Sequence, residues 1–166
     1  MTDTMQSRVL AIHKYDVQNG PGIRLSIWLS GCSNACKGCW SPHTWDPNKG
    51  DLLTDKLPYI ESLLKSYTST PVKVSILGGD PFYHAWNGHV QASEDVLELF
   101  KLINKYTTDV WVWTGYLLED LQQNELCRPY LDYIGTLVDG RFEESQKDLN
   151  LKFRGSVNQR IITLRG

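Results

Sequence analysis

The stretch Arg24-Leu25-Ser26-Ile27-Trp28-Leu29-Ser30-Gly31-Cys32-Ser33-Asn34-Ala35-Cys36-Lys37-Gly38-Cys39 reads as a strand that runs straight into a cysteine-rich loop. Leu25, Ile27 and Leu29 alternate with Arg24, Ser26 and Ser30, the period-two pattern of a strand. The cysteines therefore stand at the C-terminal end of that strand, where α/β folds gather their ligand sites. Three of the chain's four cysteines, Cys32, Cys36 and Cys39, fall in a C-x3-C-x2-C run. Four cysteines normally hold a four-iron four-sulfur cube, so three local thiolates leave one iron open to a ligand other than protein. The same thiolates would hold zinc if Cys127 or His43 supplied a fourth ligand, but the second cysteine pair usual in structural zinc motifs is missing. A disulfide framework fits least, because the cluster is tight and no secretory context accompanies it.

Outward from this stretch, strand-like and helix-like segments alternate, which predicts an α/β fold with a mainly parallel sheet. A helix is expected from Thr54 as cap through Leu57, Ile60, Leu63 and Leu64. The short strand 72–77 ends in Gly78-Gly79-Asp80-Pro81. From Ser93, the spacing of Val96, Leu99, Phe100 and Ile103 is that of an amphipathic helix. A strand at 109–113 ends in Thr114-Gly115-Tyr116, a shorter helix spans 117–123, and a strand at 133–138 ends in Asp139-Gly140. Repeated βα units curve a sheet toward a barrel, and about five strands fall short of the eight that close one. The expectation is an incomplete (βα) barrel, one domain over residues 1–166, open to a large substrate. Segments 9–14 and 151–164 are expected to add flanking strands or to cover edges.

Composition narrows the classes. A formal net charge of -2 with no basic cluster lacks the footprint of a phosphate-backbone partner, so nucleic acid is excluded. The polar start Met1-Thr2-Asp3-Thr4-Met5-Gln6 carries no signal-like apolar run, and no stretch is long enough to span a bilayer. With clustered thiols, this reads as a cytoplasmic protein away from membranes.

At the cysteine run the chain resembles the radical S-adenosylmethionine superfamily. Gly78-Gly79-Asp80-Pro81 stands where that superfamily carries its glycine-rich motif, after the strand that follows the cysteine loop. Two glycines also let a backbone approach a ligand closely, and Asp80 can fix the loop or add a charged hydrogen bond. Further motifs occur in one order: Asn19-Gly20-Pro21-Gly22, Gly38-Cys39-Trp40, Trp111-Val112-Trp113-Thr114-Gly115-Tyr116, Val138-Asp139-Gly140 and Arg154-Gly155-Ser156-Val157-Asn158-Gln159-Arg160. Together they resemble the activating proteins of anaerobic ribonucleoside-triphosphate reductases, which are glycyl radical enzyme activases.

That resemblance implies a [4Fe-4S] cluster on Cys32, Cys36 and Cys39, with S-adenosylmethionine chelated by the open iron. It implies Gly38, Cys39 and Trp40 beside the adenosyl moiety and Gly78, Gly79 and Asp80 at the methionine end. The implied activity is one-electron cleavage to a 5′-deoxyadenosyl radical, which abstracts hydrogen from a glycine of the reductase large subunit. No side chain need act as general base. A reduced flavodoxin-like protein is the implied electron donor. Asp139 and the 154–160 segment line up with family motifs. Gly38 takes the place of an aromatic common in the superfamily, and Ser41 stands where the family commonly has Asn. Two other readings remain: a different radical S-adenosylmethionine enzyme, acting on another glycyl radical enzyme or a small deazapurine precursor, and a non-catalytic zinc-binding interaction module.

The remaining polar and aromatic residues read as ordinary structure. Trp111 and Trp113 are expected to pack on one face of a core strand, and Trp28 and Trp45 to serve packing elsewhere. Cys127 reads as a small buried hydrophobe, and His43, His84 and His89 as solvated loop residues. Glu143, Glu144, Lys147 and Asp148 read as a solvated charged face.

Overall fold

A computed structural model describes residues 5–32, 39 and 42–165 of the chain. Cys36, Gly38, Trp40 and Ser41 therefore lie outside the described residues. The strands are β1 (Arg8–Asp16), β2 (Arg24–Leu29), β3 (Asp51–Leu52), β4 (Val74–Gly78), β5 (Val110–Trp113), β6 (Thr136–Asp139) and β7 (Arg160–Thr163). They form one seven-stranded sheet in the order β3-β1-β2-β4-β5-β6-β7. The four central strands, β2, β4, β5 and β6, are parallel, whereas β1, β3 and β7 add on antiparallel. The sheet is thus open and mixed, with the expected parallel strands at its centre and antiparallel ones at its flanks. Connection length accounts for the centre and one flank: β1 turns into β2 through a short hairpin, which permits only antiparallel pairing, while the central strands are separated by helical crossovers. Segments 9–14 and 151–164, expected as flanks, supply β1 and β7.

The helices are α1 (Leu53–Lys65), α2 (Tyr83–Trp86), α3 (Val90–Asn104) and α4 (Leu118–Gln123). Two expected starts are displaced. Thr54 does not cap α1: the helix begins at Leu53, directly after β3, and the Leu53 N–H is satisfied by the Ser7 carbonyl at 2.9 Å. Ser93 lies within the first turn of α3, where its hydroxyl donates to the Val90 carbonyl. In both cases the preceding backbone continues the helix with no side-chain cap.

Strand register divides the sheet into two faces. Leu25, Val74 and Val110 lie side by side, followed by Ile27, Ile76, Val112 and Leu137. These residues join Ile60, Leu64, Leu99, Phe100 and Ile103 of α1 and α3 in the apolar core. The alternate residues, Arg24, Ser26, Trp28, Ser75, Leu77, Trp111 and Trp113, point to the other face. Trp111 and Trp113 do share a face, but the valines between them make the core and the indoles are only half-buried. Part of that second face is covered by the long connection between β6 and β7. Phe153 stands edge-on to Trp111 at 5.3 Å between centroids, and its carbonyl accepts the Trp113 indole N–H at 2.7 Å. Phe153 holds a left-handed φ of 64°, unusual for a bulky residue and maintained here by those two contacts.

Candidate functional site

The parallel strands deliver Gly31-Cys32, Gly78-Gly79-Asp80, Thr114-Gly115-Tyr116 and Asp139-Gly140 to one edge of the sheet. The root of the cysteine loop is tied down on one side by the turn at Pro42–Thr44. Gly31 N–H donates to the Thr44 carbonyl at 2.7 Å, and Cys32 N–H to the Trp45 carbonyl at 3.2 Å. On the other side it meets the glycine loop. Gly79 N–H donates to the Leu29 carbonyl at 2.8 Å and Asp80 N–H to the Gly31 carbonyl at 2.6 Å. A Cβ at Gly78 would lie 2.5 Å from the Leu29 oxygen, and one at Gly79 would run into the Gly31 backbone. The close approach that the two glycines permit is therefore an approach to the cysteine loop itself.

Asp80 is buried, and its side chain joins two strand ends. Its carboxylate accepts from Thr114 Oγ1 at 2.9 and 3.0 Å, from Gly115 N–H at 2.8 Å and from Phe82 N–H at 3.0 Å. These contacts perform one of the two roles open to it in the sequence, fixing the loop. Behind the loop, Tyr83 lays its ring where a Gly31 side chain would stand. His84 and His89 are packed against it rather than solvated: His84 is buried and the two Nδ1 atoms lie 3.1 Å apart, one donating and the other accepting. Trp86 stacks on Tyr116 with centroids 4.5 Å apart.

Cys32 and Cys39 are half-buried cysteines outside any disulfide, so both thiols are reachable from the loop edge. Cys127 belongs elsewhere. It is enclosed in the apolar core, and burial, reinforced by the negative charge of Asp80, pushes its thiol up to about 12. A thiolate ligand for zinc is thus disfavoured at Cys127, and His43 is exposed on the turn that holds Gly31. Soft thiolates on a glycine-braced loop fit an iron-sulfur cluster, and no group of three or more metal-binding side chains occurs elsewhere among the described residues.

The last strand end carries a feature to which sequence reasoning assigns no role. Asp139 is fully buried at the end of β6. Its carboxylate accepts from Arg160 Nε at 3.0 Å and Nη2 at 2.5 Å, and from Leu118 N–H at 2.8 Å, which caps α4. Arg160 also grips Glu119 at 3.0 and 2.8 Å. The pair with Asp139, and then that with Glu119, raises the guanidinium pKa above its ordinary value, and Glu119 is lowered chiefly by its hydrogen bond from Arg160. The rest of the 154–160 segment braces itself: Gln159 Oε1 accepts from Gly155 and Ser156 N–H, and Gln159 Nε2 donates to the Gly140 carbonyl. The signal for this partnership is the joint presence of Asp139-Gly140 and the tail motif, but spacing alone does not reveal that they touch.

The family model described as a 4Fe-4S single cluster domain matches residues 18–162, which include every loop of this edge. A relative named anaerobic ribonucleoside-triphosphate reductase-activating protein, from Escherichia coli, is 36% identical over 161 residues, covering 92% of this chain and 98% of the relative. The chain belongs to that family. The family likeness extends beyond one lineage. The protein of the same name from Vibrio cholerae is 34% identical, covering 90% of this chain and 95% of its own. The one from Enterobacteria phage T4 is 31% identical, covering 90% of each. Among the described residues, no helix of this family member is long and apolar enough to cross a membrane.

Proposed function

We propose that this chain is an activating enzyme that holds a [4Fe-4S] cluster on Cys32, Cys36 and Cys39, binds S-adenosylmethionine at the open iron, and makes a glycyl radical on an anaerobic ribonucleoside-triphosphate reductase. The observation that carries this reading is the seam between Asp80 N–H and the Gly31 carbonyl, which holds the glycine loop against the root of the cysteine loop. Family membership supports the partner, because the relatives are named for activating that reductase. When bound, the cluster and S-adenosylmethionine would supply one-electron carbon-sulfur cleavage and a 5′-deoxyadenosyl radical able to take a hydrogen atom from a glycine α-carbon.

The chain's own residues would do the holding. Gly38, Cys39 and Trp40 would lie along the adenosyl part, and the backbone of Gly78 and Gly79 would meet the methionine end. Asp80 would keep that backbone in shape through Thr114, Gly115 and Phe82. Hydrogen-atom transfer asks for no general base, so none is assigned. The open sheet would serve as the incomplete barrel of the superfamily, its unclosed side admitting a polypeptide, with residues 1–166 working as one domain. A reduced flavodoxin-like protein would deliver the electron.

The test is to purify the protein without oxygen, reconstitute it with iron and sulfide, reduce it, and record its electron paramagnetic resonance spectrum with and without S-adenosylmethionine. A four-iron signal that changes on adding the cofactor, followed by a stable organic radical on the added reductase, is expected. One zinc and no labile sulfide, or a signal indifferent to the cofactor, would overturn the reading.

A further inference from the structure

We infer that Thr114 is a positioning residue for the cofactor loop: its hydroxyl sets the Asp80 carboxylate, and through it the Gly78-Gly79 backbone, against the root of the cysteine loop. The inference deepens the proposed function and rests on it.

Thr114 follows directly on β5 and is buried. Its oxygen accepts the Tyr116 N–H at 3.2 Å on one of its two lone pairs. Its single hydroxyl proton is shared between the two Asp80 oxygens, 2.9 and 3.0 Å away. Gly115 N–H to Oδ2 and Phe82 N–H to Oδ1 add to this, so each carboxylate oxygen is approached from two directions and the carboxylate plane cannot turn freely. The same residue, Asp80, donates its N–H to the Gly31 carbonyl. The connection therefore runs from the end of β5, through one side chain, to the peptide that abuts Gly31-Cys32. Gly78 and Gly79 have no Cβ and would otherwise be the most pliable part of this edge. A hydroxyl at position 114 removes that freedom where a methyl group of equal size would not, because a methyl leaves both the carboxylate and the Tyr116 N–H short of a partner.

The experiment compares Thr114→Val and Thr114→Ser with wild type in anaerobically reconstituted protein, normalised to bound iron. S-adenosylmethionine is titrated into the reduced cluster, and the midpoint of the change in the electron paramagnetic resonance signal is read, which is independent of turnover. A matched control is Tyr130→Phe, which removes a buried hydrogen bond from Tyr130 to the Ser93 carbonyl, 2.8 Å long and made within the apolar core. Thr114→Val is expected to raise the midpoint on the order of ten-fold, the usual size of a second-layer effect on a metal site. Thr114→Ser stays close to wild type, and Tyr130→Phe lowers the melting temperature without moving the midpoint. Should Thr114→Val fail to load a cluster, Thr114→Ala is read in the same titration. An unchanged midpoint in the hydroxyl-free variant overturns the role of Thr114 while leaving the activase reading intact. An equal shift in Tyr130→Phe overturns it too, since general loosening would then explain both. A wild-type signal indifferent to S-adenosylmethionine overturns the function and this inference together.

Discussion

The two ends of the parallel strands both bury charged side chains, Arg24 at one and Asp80 with Asp139 at the other, and they use them differently. At the N-terminal end Arg24 is fully buried and paired at all three nitrogens: it donates to Ser75 Oγ, the Pro21, Val74 and Asp109 carbonyls and Asp109 Oδ1, with all distances between 2.7 and 3.2 Å. The Asn19-Gly20-Pro21-Gly22 turn is wrapped around it. Gly20 has a φ of 104° and a Cβ there would press on the guanidinium stem at 2.9 Å. At the C-terminal end Asp80 is held as firmly, but by loops that leave Cys32 and Cys39 half-exposed. One end is closed around its charge, and the other uses its charge to brace an open rim. Motifs that stand together as family markers in the sequence therefore serve different ends in the fold. Asn19-Gly20-Pro21-Gly22 secures the sheet, whereas Gly78-Gly79-Asp80-Pro81 shapes the site.

Substitutions at the two ends put that contrast at risk. The largest effect is expected from Cys32→Ser: iron and labile sulfide after reconstitution fall to near background, while the urea midpoint of cluster-free protein stays close to wild type. A large loss of stability instead would mean that the open rim is structural as well. Next comes Arg24→Met, expected to cost about 2–5 kcal/mol in urea unfolding, because the Ser75 hydroxyl and the Val74 carbonyl each lose a buried donor at about 1–3 kcal/mol apiece, whereas the half-exposed Asp109 returns to water. The protein that remains folded should still load a cluster, since the loss is at the far end of the sheet. Gly79→Ala should cost less, about 1–3 kcal/mol, by forcing the new Cβ into the Gly31 backbone. Unlike Arg24→Met, it should also lower cluster yield per folded molecule.

The smallest effect concerns pH. Cys127 has a folded pKa of about 12 against an ordinary 9.0, so between those values the unfolded chain has released the proton and the folded one has not. The unfolded state then binds fewer protons, and stability declines as pH rises through that window. Tyr130, which packs in the same core and is raised above 10.0 chiefly by burial, adds to the decline. A Cys127→Ala variant should show a shallower fall in urea midpoint above pH 9. At about pH 8, below the ordinary thiol pKa, iodoacetamide should label Cys32 and Cys39 of cluster-free folded protein and spare Cys127.

Strand β2 is legible in full, Arg24–Leu29, because its apolar residues alternate cleanly. The same alternation suggests a polar outer face, yet Arg24 and Ser26 are as buried as Leu25. Apart from the Pro21 carbonyl, the partners of Arg24 come from residues about fifty and eighty-five positions away, which no local pattern can announce. His84 departs from its expected solvated state for a related reason: a polar stretch reads as exposed loop, but a short helix folds it onto His89 and Tyr83. Thr54 is an attractive cap by type, and the tertiary hydrogen bond from Leu53 N–H to the Ser7 carbonyl starts the helix one residue before it.

Residue type and spacing along the chain suffice for the cysteine run, the order of strands and loops, and the family, because none of these depends on which distant segments meet. Folding in three dimensions was needed to establish the antiparallel flanks that leave the sheet mixed and open, the grip of Arg160 on Asp139, and the linkage of Thr114 through Asp80 to Gly31. Each joins groups far apart in the chain, and a hydrogen bond of that kind exists only once packing has brought both partners out of water and into contact.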